Sequence, residues 1–240
     1  MKIVKHIPNT ITSMNLFCGL MGVIFTFKGD FQTAFILMLA AAACDFCDGF
    51  AARMLNAYSD MGKELDSLAD MVSFGVLPAL MLHRLMIYTG EDGILSYIPL
   101  AIGIFSALRL AKFNIDTRQS ESFIGLATPA CAMICGSFAY YVCNDPTCIM
   151  YEWAACRFFL PSASLILSAL LVSEIPMFSM KIKKGSQTDR ATRIMRTCFF
   201  AVIAISCILA MIFGLNWSII VLTAFTAYIL INTGAFLLKR

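Results

Sequence analysis

Eight apolar runs, each long enough to cross a lipid bilayer, constrain this chain more than any other feature. They lie roughly at 8–27, 31–52, 64–88, 94–115, 123–143, 158–178, 197–215 and 218–238. A bilayer core is about 30 Å thick, and an α-helix crosses it in about 20 residues. Inside it, backbone N–H and C=O groups must pair within the protein, so runs of this length fold as helices. Composition agrees: 60% of residues are hydrophobic, 14% are charged, and mean hydropathy is +0.80. The expectation is an all-α, polytopic membrane bundle of about eight transmembrane helices, six of them forming a core. Residues 1–180 would carry that core, and 181–240 a basic connector with two more helices. Pro161 and Pro176 predict a kink or a shifted boundary in the sixth run. The very short Asn216-Trp217 break also allows a re-entrant hairpin for the last two runs.

The basic residues set an expected orientation. With the N-terminus in the cytoplasm and helices alternating, fifteen of the eighteen Lys and Arg fall on the cytoplasmic side. They include Lys2, Lys5, Arg53, Lys63, Arg109, Lys112, Arg118, Lys181, Lys183, Lys184, Arg190, Arg193, Arg196, Lys239 and Arg240; only Lys28, Arg84 and Arg157 face away. That predicts a multi-pass protein of the cell (inner) membrane with a cytoplasmic N-terminus. The basic stretch from Lys181 to Arg196 can meet anionic lipid headgroups or act as a topology signal alone. A net charge of +3 is no nucleic-acid footprint, and no such partner is expected. Asn9, Thr10, Thr12, Ser13 and Asn15 interrupt the first run and no small-residue cleavage site follows, so it reads as a retained helix rather than a signal peptide. The ten cysteines mostly behave as small apolar residues. Cys44 and Cys47 lack the second pair that a zinc site needs, whereas Cys143 and Cys148 can pair in an oxidising compartment.

Against this apolar background stand four aspartates, Asp45, Asp48, Asp66 and Asp70, in the pattern D-x2-D-G-x2-A-R-x8-G-x3-D-x3-D. Spacings of three and four put each pair on one helix face. Carboxylates at such depth are costly and mark a functional site by default. Two helix pairs of oxygen ligands suit hard divalent cations such as magnesium or manganese. Two such ions about 4 Å apart can clamp a phosphoryl group. Gly49 allows close approach of a substrate to the helix backbone, Arg53 can reach a diphosphate, and Ser59 supplies a hydroxyl. The orientation places all four acids at the cytoplasmic face. A salt-bridge network with Arg53, Lys63 and Arg109 is the competing reading, but four acids in two ordered pairs need more than one nearby base.

The aspartate block resembles the signature of the CDP-alcohol phosphotransferase family, with every specified position present. The similarity extends to Ile7-Pro8-Asn9, to Asp66 through Gly75, to Arg109 through Asn114, to Phe123 through Pro129 and to Val172 through Pro176 with Phe178-Ser179. Ala127 departs from the Gly-Leu-Pro expected there. The similarity is greatest to members that use serine as acceptor. The resemblance implies a transferase acting on CDP-diacylglycerol and L-serine among membrane lipids, with two Mg2+ or Mn2+ ions per site. It implies metal binding by Asp45, Asp48 and Asp66, and a double role for Asp70 as ligand of the second metal and general base. Asn9, Thr12, Gly49, Arg53 and Ser59 would hold the CDP-lipid, and a homodimer would fit. Arg109 and Lys112 would either contact the acceptor or anchor the chain at the membrane surface. Two alternatives stay open: the same chemistry with glycerol 3-phosphate or inositol, and a divalent-cation carrier.

Overall fold

The structure, a computed structural model, describes residues 6–115, 123–177 and 190–238. Lys2, Lys5, Arg118, Phe178-Ser179, Lys181, Lys183, Lys184, Lys239 and Arg240 lie outside the described residues, as do the side chains of Phe123 and of 190–192. The described chain is helical apart from one two-residue strand pair. In order it runs α1 (Ile7–Phe27), α2 (Phe31–Met54), α3 (Asp60–Asp70), a π-helical segment (Met71–Val76), α4 (Leu77–Tyr88), a 3-10 segment (Ile94–Leu100), α5 (Ala101–Ile115), β1 (Phe123–Ile124), α6 (Thr128–Asn144), α7 (Ile149–Ala155), α8 (Phe159–Val172), β2 (Pro176–Met177), α9 (Arg190–Phe213) and α10 (Ser218–Leu238).

Among the described residues, six helical spans are long and apolar enough to cross a membrane: 7–27, 31–54, 60–88, 94–115, 193–213 and 218–238. A seventh appears if α7 and α8 count as one broken span. The protein is thus an all-α polytopic membrane protein. α6 has 17 residues, about 25 Å of helix, and it is the best-buried element, with only Pro129, Ile134, Cys143 and Asn144 not fully enclosed. α1 packs along α2 and against α3, the π segment and α4; α6 lies against α2, α4 and α10. The core fills with Phe31, Phe35, Met38, Phe74, Leu77 and Met81, none more than 1% exposed. α10 packs on both α9 and α6, so the last two helices extend the same bundle.

Two boundaries differ from those predicted. The fifth run becomes helical only at Thr128, because Pro129 occupies the first turn, where its missing N–H costs nothing. Ahead of it, Phe123–Ile124 pairs antiparallel with Pro176–Met177, Phe123 opposite Met177. Gly125 then turns with φ +78, and a Cβ there would meet the carbonyls of Leu171 and Ser173 at 2.8 Å. This strap ties the entry to α6 to the exit from α8, through Leu126 N–H donating to Leu170 O at 2.9 Å. The sixth run ends at Val172, short of Pro176, and Pro161 sits harmlessly in the first turn of α8. The bend instead lies between α7 and α8, where the axis turns by 85°. The last two runs are two full-length helices of 24 and 21 residues. Cys143 and Cys148 are free thiols.

Candidate active site at the paired aspartates

The turn between α2 and α3 brings the two aspartate pairs together. α2 starts on an Asp30 cap, whose carboxylate accepts from Thr33 N–H at 2.9 Å; hydrogen bonds from the Thr33 side chain and then from this N–H draw the Asp30 pKa below its ordinary value. At the other end Asn56 takes φ +47. Its N–H donates to Arg53 O at 3.4 Å, and Ala57 N–H donates to Ala52 O at 3.0 Å, closing the helix in a Schellman motif. Asn tolerates the left-handed conformation better than most residues. Three residues on, Ser59 is extended and its Oγ accepts from Gly62 N–H at 3.0 Å, opening α3. The chain reverses within five residues, and Asp45 and Asp48 come to face Asp66.

Asp45, Asp48 and Asp66 each offer an oxygen within 4.8 Å of the others. Thr12 of α1 donates its hydroxyl to Asp48 Oδ2 at 2.6 Å. One turn beyond Asp66, Asp70 interacts electrostatically with Asp45, Asp66 and Asp48, and its Oδ1 accepts from Asn15 Nδ2 at 3.3 Å. Two unit charges at such separations repel by roughly 3–4 kcal/mol per pair at an effective dielectric near 20. Two of the three bases that the salt-bridge reading requires are engaged elsewhere. Arg53 Nε folds back on Gly49 O at 3.0 Å, and Lys63 Nζ donates to Asn114 O at 3.2 Å. Asp66 Oδ1 is buried with no hydrogen-bond partner. Oxygen-only donors, mutual repulsion and an orphaned carboxylate oxygen fit a divalent cation.

A cavity of about 210 Å³ opens beside the cluster, lined by Asn9, Thr12, Asp48, Gly49, Ser59 and Asp66 among others. Gly62 is where side-chain bulk is excluded: a Cβ there would stand 3.0 Å from Asn9 Oδ1 and from Ser59 Oγ. Of the residues predicted to hold a CDP-lipid, all but Arg53 line this cavity. Around it, Phe46, Phe50, Met54, Tyr58, Met61 and Leu68 are exposed apolar side chains, each more than half accessible.

Arg109 and Lys112 part company. Arg109 is only 8% exposed, donates from Nη1 to Thr128 Oγ1 at 2.9 Å and interacts electrostatically with Asp70. Its Nε has no hydrogen-bond partner. Lys112 is half-exposed and reaches Glu174 at 3.8 Å instead. Asn114, at the end of α5, donates to Ser67 Oγ at 2.9 Å, which holds that end of α5 against α3.

Asn15 was not among the predicted site residues. Asn15 is fully buried, and its backbone carbonyl accepts from Ser73 Oγ at 3.1 Å. The signal was there: Asn9, Thr12 and Asn15 recur every third residue along one side of α1. The π segment that follows Asp70 was also unforeseen; such segments frequently occur at functional sites.

An all-helical membrane protein with four converging carboxylates beside a polar-lined cavity belongs to the class of membrane-embedded enzymes that handle charged groups at the bilayer surface. The family model for CDP-alcohol phosphatidyltransferase matches residues 5–169, and the chain belongs to that family. The family is generally dependent on divalent metal, in keeping with the acidic cluster. The chain is 40% identical over 139 residues to the CDP-diacylglycerol–serine O-phosphatidyltransferase of Bacillus subtilis, covering 57% of this chain and 77% of the relative. It is 39% identical over 130 residues to the Helicobacter pylori (strain J99) protein of the same name, covering 53% and 54%. With the Mycobacterium leprae protein of that name the identity is 34% over 182 residues, 72% and 58%. The match thus spans little more than half the length of the last two.

Proposed function

We propose that this protein transfers the phosphatidyl group of CDP-diacylglycerol to the hydroxyl of L-serine, giving phosphatidylserine and CMP. The observation that carries the reading is the convergence of Asp45, Asp48 and Asp66, the last two of which line the cavity, in a chain of this family similar to serine-using relatives. Asp45, Asp48 and Asp66, with Asp70 as a ligand of the second ion, hold two Mg2+ or Mn2+. When bound, these ions neutralise charge developing on the transferred phosphoryl group and on the leaving CMP.

The protein's own groups do the rest. Asn9, Thr12, Gly49 and Ser59 seat the nucleotide end of the CDP-lipid, and Arg53 swings from Gly49 O to the diphosphate. Asp70 takes the proton from the serine hydroxyl as its oxygen attacks the phosphorus bearing diacylglycerol. The bond from that phosphorus to the CMP oxygen breaks, and CMP leaves with the electron pair. Asn15 holds the Asp70 carboxylate in place. Arg109, enclosed beside Asp70, takes the serine carboxylate, while Lys112 keeps its partner Glu174. The distribution of Lys and Arg supports a site at the cytoplasmic face of the cell membrane.

An acceptor screen on purified protein with labelled CDP-diacylglycerol tests the reading. CMP release is expected with serine and not with glycerol 3-phosphate or inositol; the reverse pattern overturns the acceptor while leaving the phosphotransfer chemistry. Metal flux without CMP release would make the protein a cation carrier. Arg109→Ala should raise the serine KM by roughly ten- to a hundredfold, the range for losing a hydrogen bond to a charged group. The KM for CDP-diacylglycerol should barely move. An unchanged serine dependence per folded molecule reduces Arg109 to a structural anchor.

A further inference from the structure

Among the described residues, Asn15 is an amide buried against the carboxylate cluster whose oxygen is wholly unspent. Its Nδ2 donates to Asp70 Oδ1 at 3.3 Å, which leaves Oδ1 as a pure acceptor. That oxygen is buried and has no partner, in a residue with no exposed surface. Buried acceptors are rarely left unpaired without a functional reason. Arg109, whose buried Nε is likewise unpaired, interacts electrostatically with the same Asp70. Asp70 is thus bonded to a residue with an unspent acceptor and interacts with a second that has an unspent cationic donor.

We propose that Asn15 is a specificity-determining residue of the acceptor site: its Oδ1 accepts a hydrogen bond from the ammonium group of the incoming amino acid. This rests on the reading of serine as acceptor. An α-amino acid carries an ammonium, with three donors, and a carboxylate, on the carbon next to its hydroxyl-bearing carbon. Arg109 takes the carboxylate, Asn15 the ammonium, and the hydroxyl is left facing Asp70. Glycerol 3-phosphate and inositol carry no cationic donor for this acceptor. The arrangement therefore selects a zwitterion, not merely an anion or a polyol. It also couples recognition to chemistry, because the amide that reads the ammonium through oxygen holds Asp70 through nitrogen. Ser73 Oγ, bonded to the Asn15 carbonyl, fixes the register of α1 against the π segment that carries this geometry.

The test compares serine with 3-hydroxypropionate, which is serine without its ammonium. The second compound is assayed as alternative acceptor or, if unreactive, as competitive inhibitor. Both are measured in wild type, Asn15→Ala and Asn15→Asp. Wild type should favour serine. Asn15→Ala should lose roughly tenfold or more of that preference through the serine KM, while its apparent affinity for 3-hydroxypropionate stays within about threefold of wild type. Asn15→Asp keeps an acceptor oxygen and should keep the preference, even if turnover falls with the lost bond to Asp70. Equal losses toward both compounds would make Asn15 a packing or positioning residue only and overturn the proposal. So would an unchanged preference with a raised manganese requirement. If Asn15→Ala does not fold, loss of the preference in Asn15→Asp overturns it equally. Should wild type turn over neither compound while accepting another alcohol, the serine reading falls first.

Discussion

Exhaustive removal of divalent cations should abolish CMP release from CDP-diacylglycerol and serine, and added magnesium or manganese should restore it. The expected loss is about a thousandfold or more. Metal stabilisation of a phosphoryl transition state is worth several kcal/mol, and each 1.4 kcal/mol is a factor of ten in rate. The geometry makes the dependence severe. Asp45, Asp48 and Asp66 hold oxygens within 4.8 Å of one another, and the nearby Arg53 and Lys63 are bonded to backbone carbonyls instead. Neither of these two bases substitutes for the cation's charge. Loss of metal should also weaken binding of the CDP-lipid, read by thermal unfolding with and without lipid. Full CMP release in excess chelator would remove metal from the mechanism.

Asp70→Asn should lower turnover by roughly two to four orders of magnitude, the range for losing a positioned general base. The substitution is nearly isosteric and keeps an oxygen for the Asn15 amide. It removes only the charge and the capacity to take a proton. Asp45, Asp48 and Asp66 remain, so CDP-lipid binding should change far less than turnover. Separate measurement of kcat and of lipid affinity distinguishes this from a folding defect. Turnover near wild type would take Asp70 out of the base role.

The aspartate cluster was legible in the sequence because helical spacing alone places residues three or four apart on one face. The all-α polytopic class was legible because hydropathy tracks the bilayer, but the count was not: about eight spans were expected and six are long and apolar enough among the described residues, or seven with the bent α7–α8 pair. What escaped depends on packing between distant segments. Phe123 and Ile124 are apolar enough to read as helix, and only the φ of Gly125 against the Leu171 and Ser173 carbonyls makes them a strap. The π segment after Asp70 has no local spelling; it arises where Ser73 meets Asn15 and where Gly75 approaches Ser106. Lys112 stands 3.8 Å from Glu174, far along the chain, a pairing that no local pattern announces. Asn15 was visible only as one polar break among several, and burial singled it out. The reach of Arg53 toward a diphosphate is not displayed either, since its guanidinium rests over Gly49.

The apolar side chains around the cavity carry a consequence for how such an enzyme meets its donor. Phe46, Phe50 and Met54 form one stripe at four-residue intervals along α2, beside the acids, and Tyr58, Met61 and Leu68 continue it. A donor with two acyl chains then reaches the carboxylates while its tails stay among neighbouring lipids, so no cost of extracting hydrocarbon into water is incurred. Its supply is governed by diffusion in two dimensions. The concentration that sets the rate is the donor's mole fraction in the bilayer, and diluting the surrounding water leaves it untouched. Serine and CMP, by contrast, exchange with the aqueous phase and obey ordinary molarity. The site thus works across two concentration scales, one areal and one volumetric, joined where these hydrophobic side chains meet the acids.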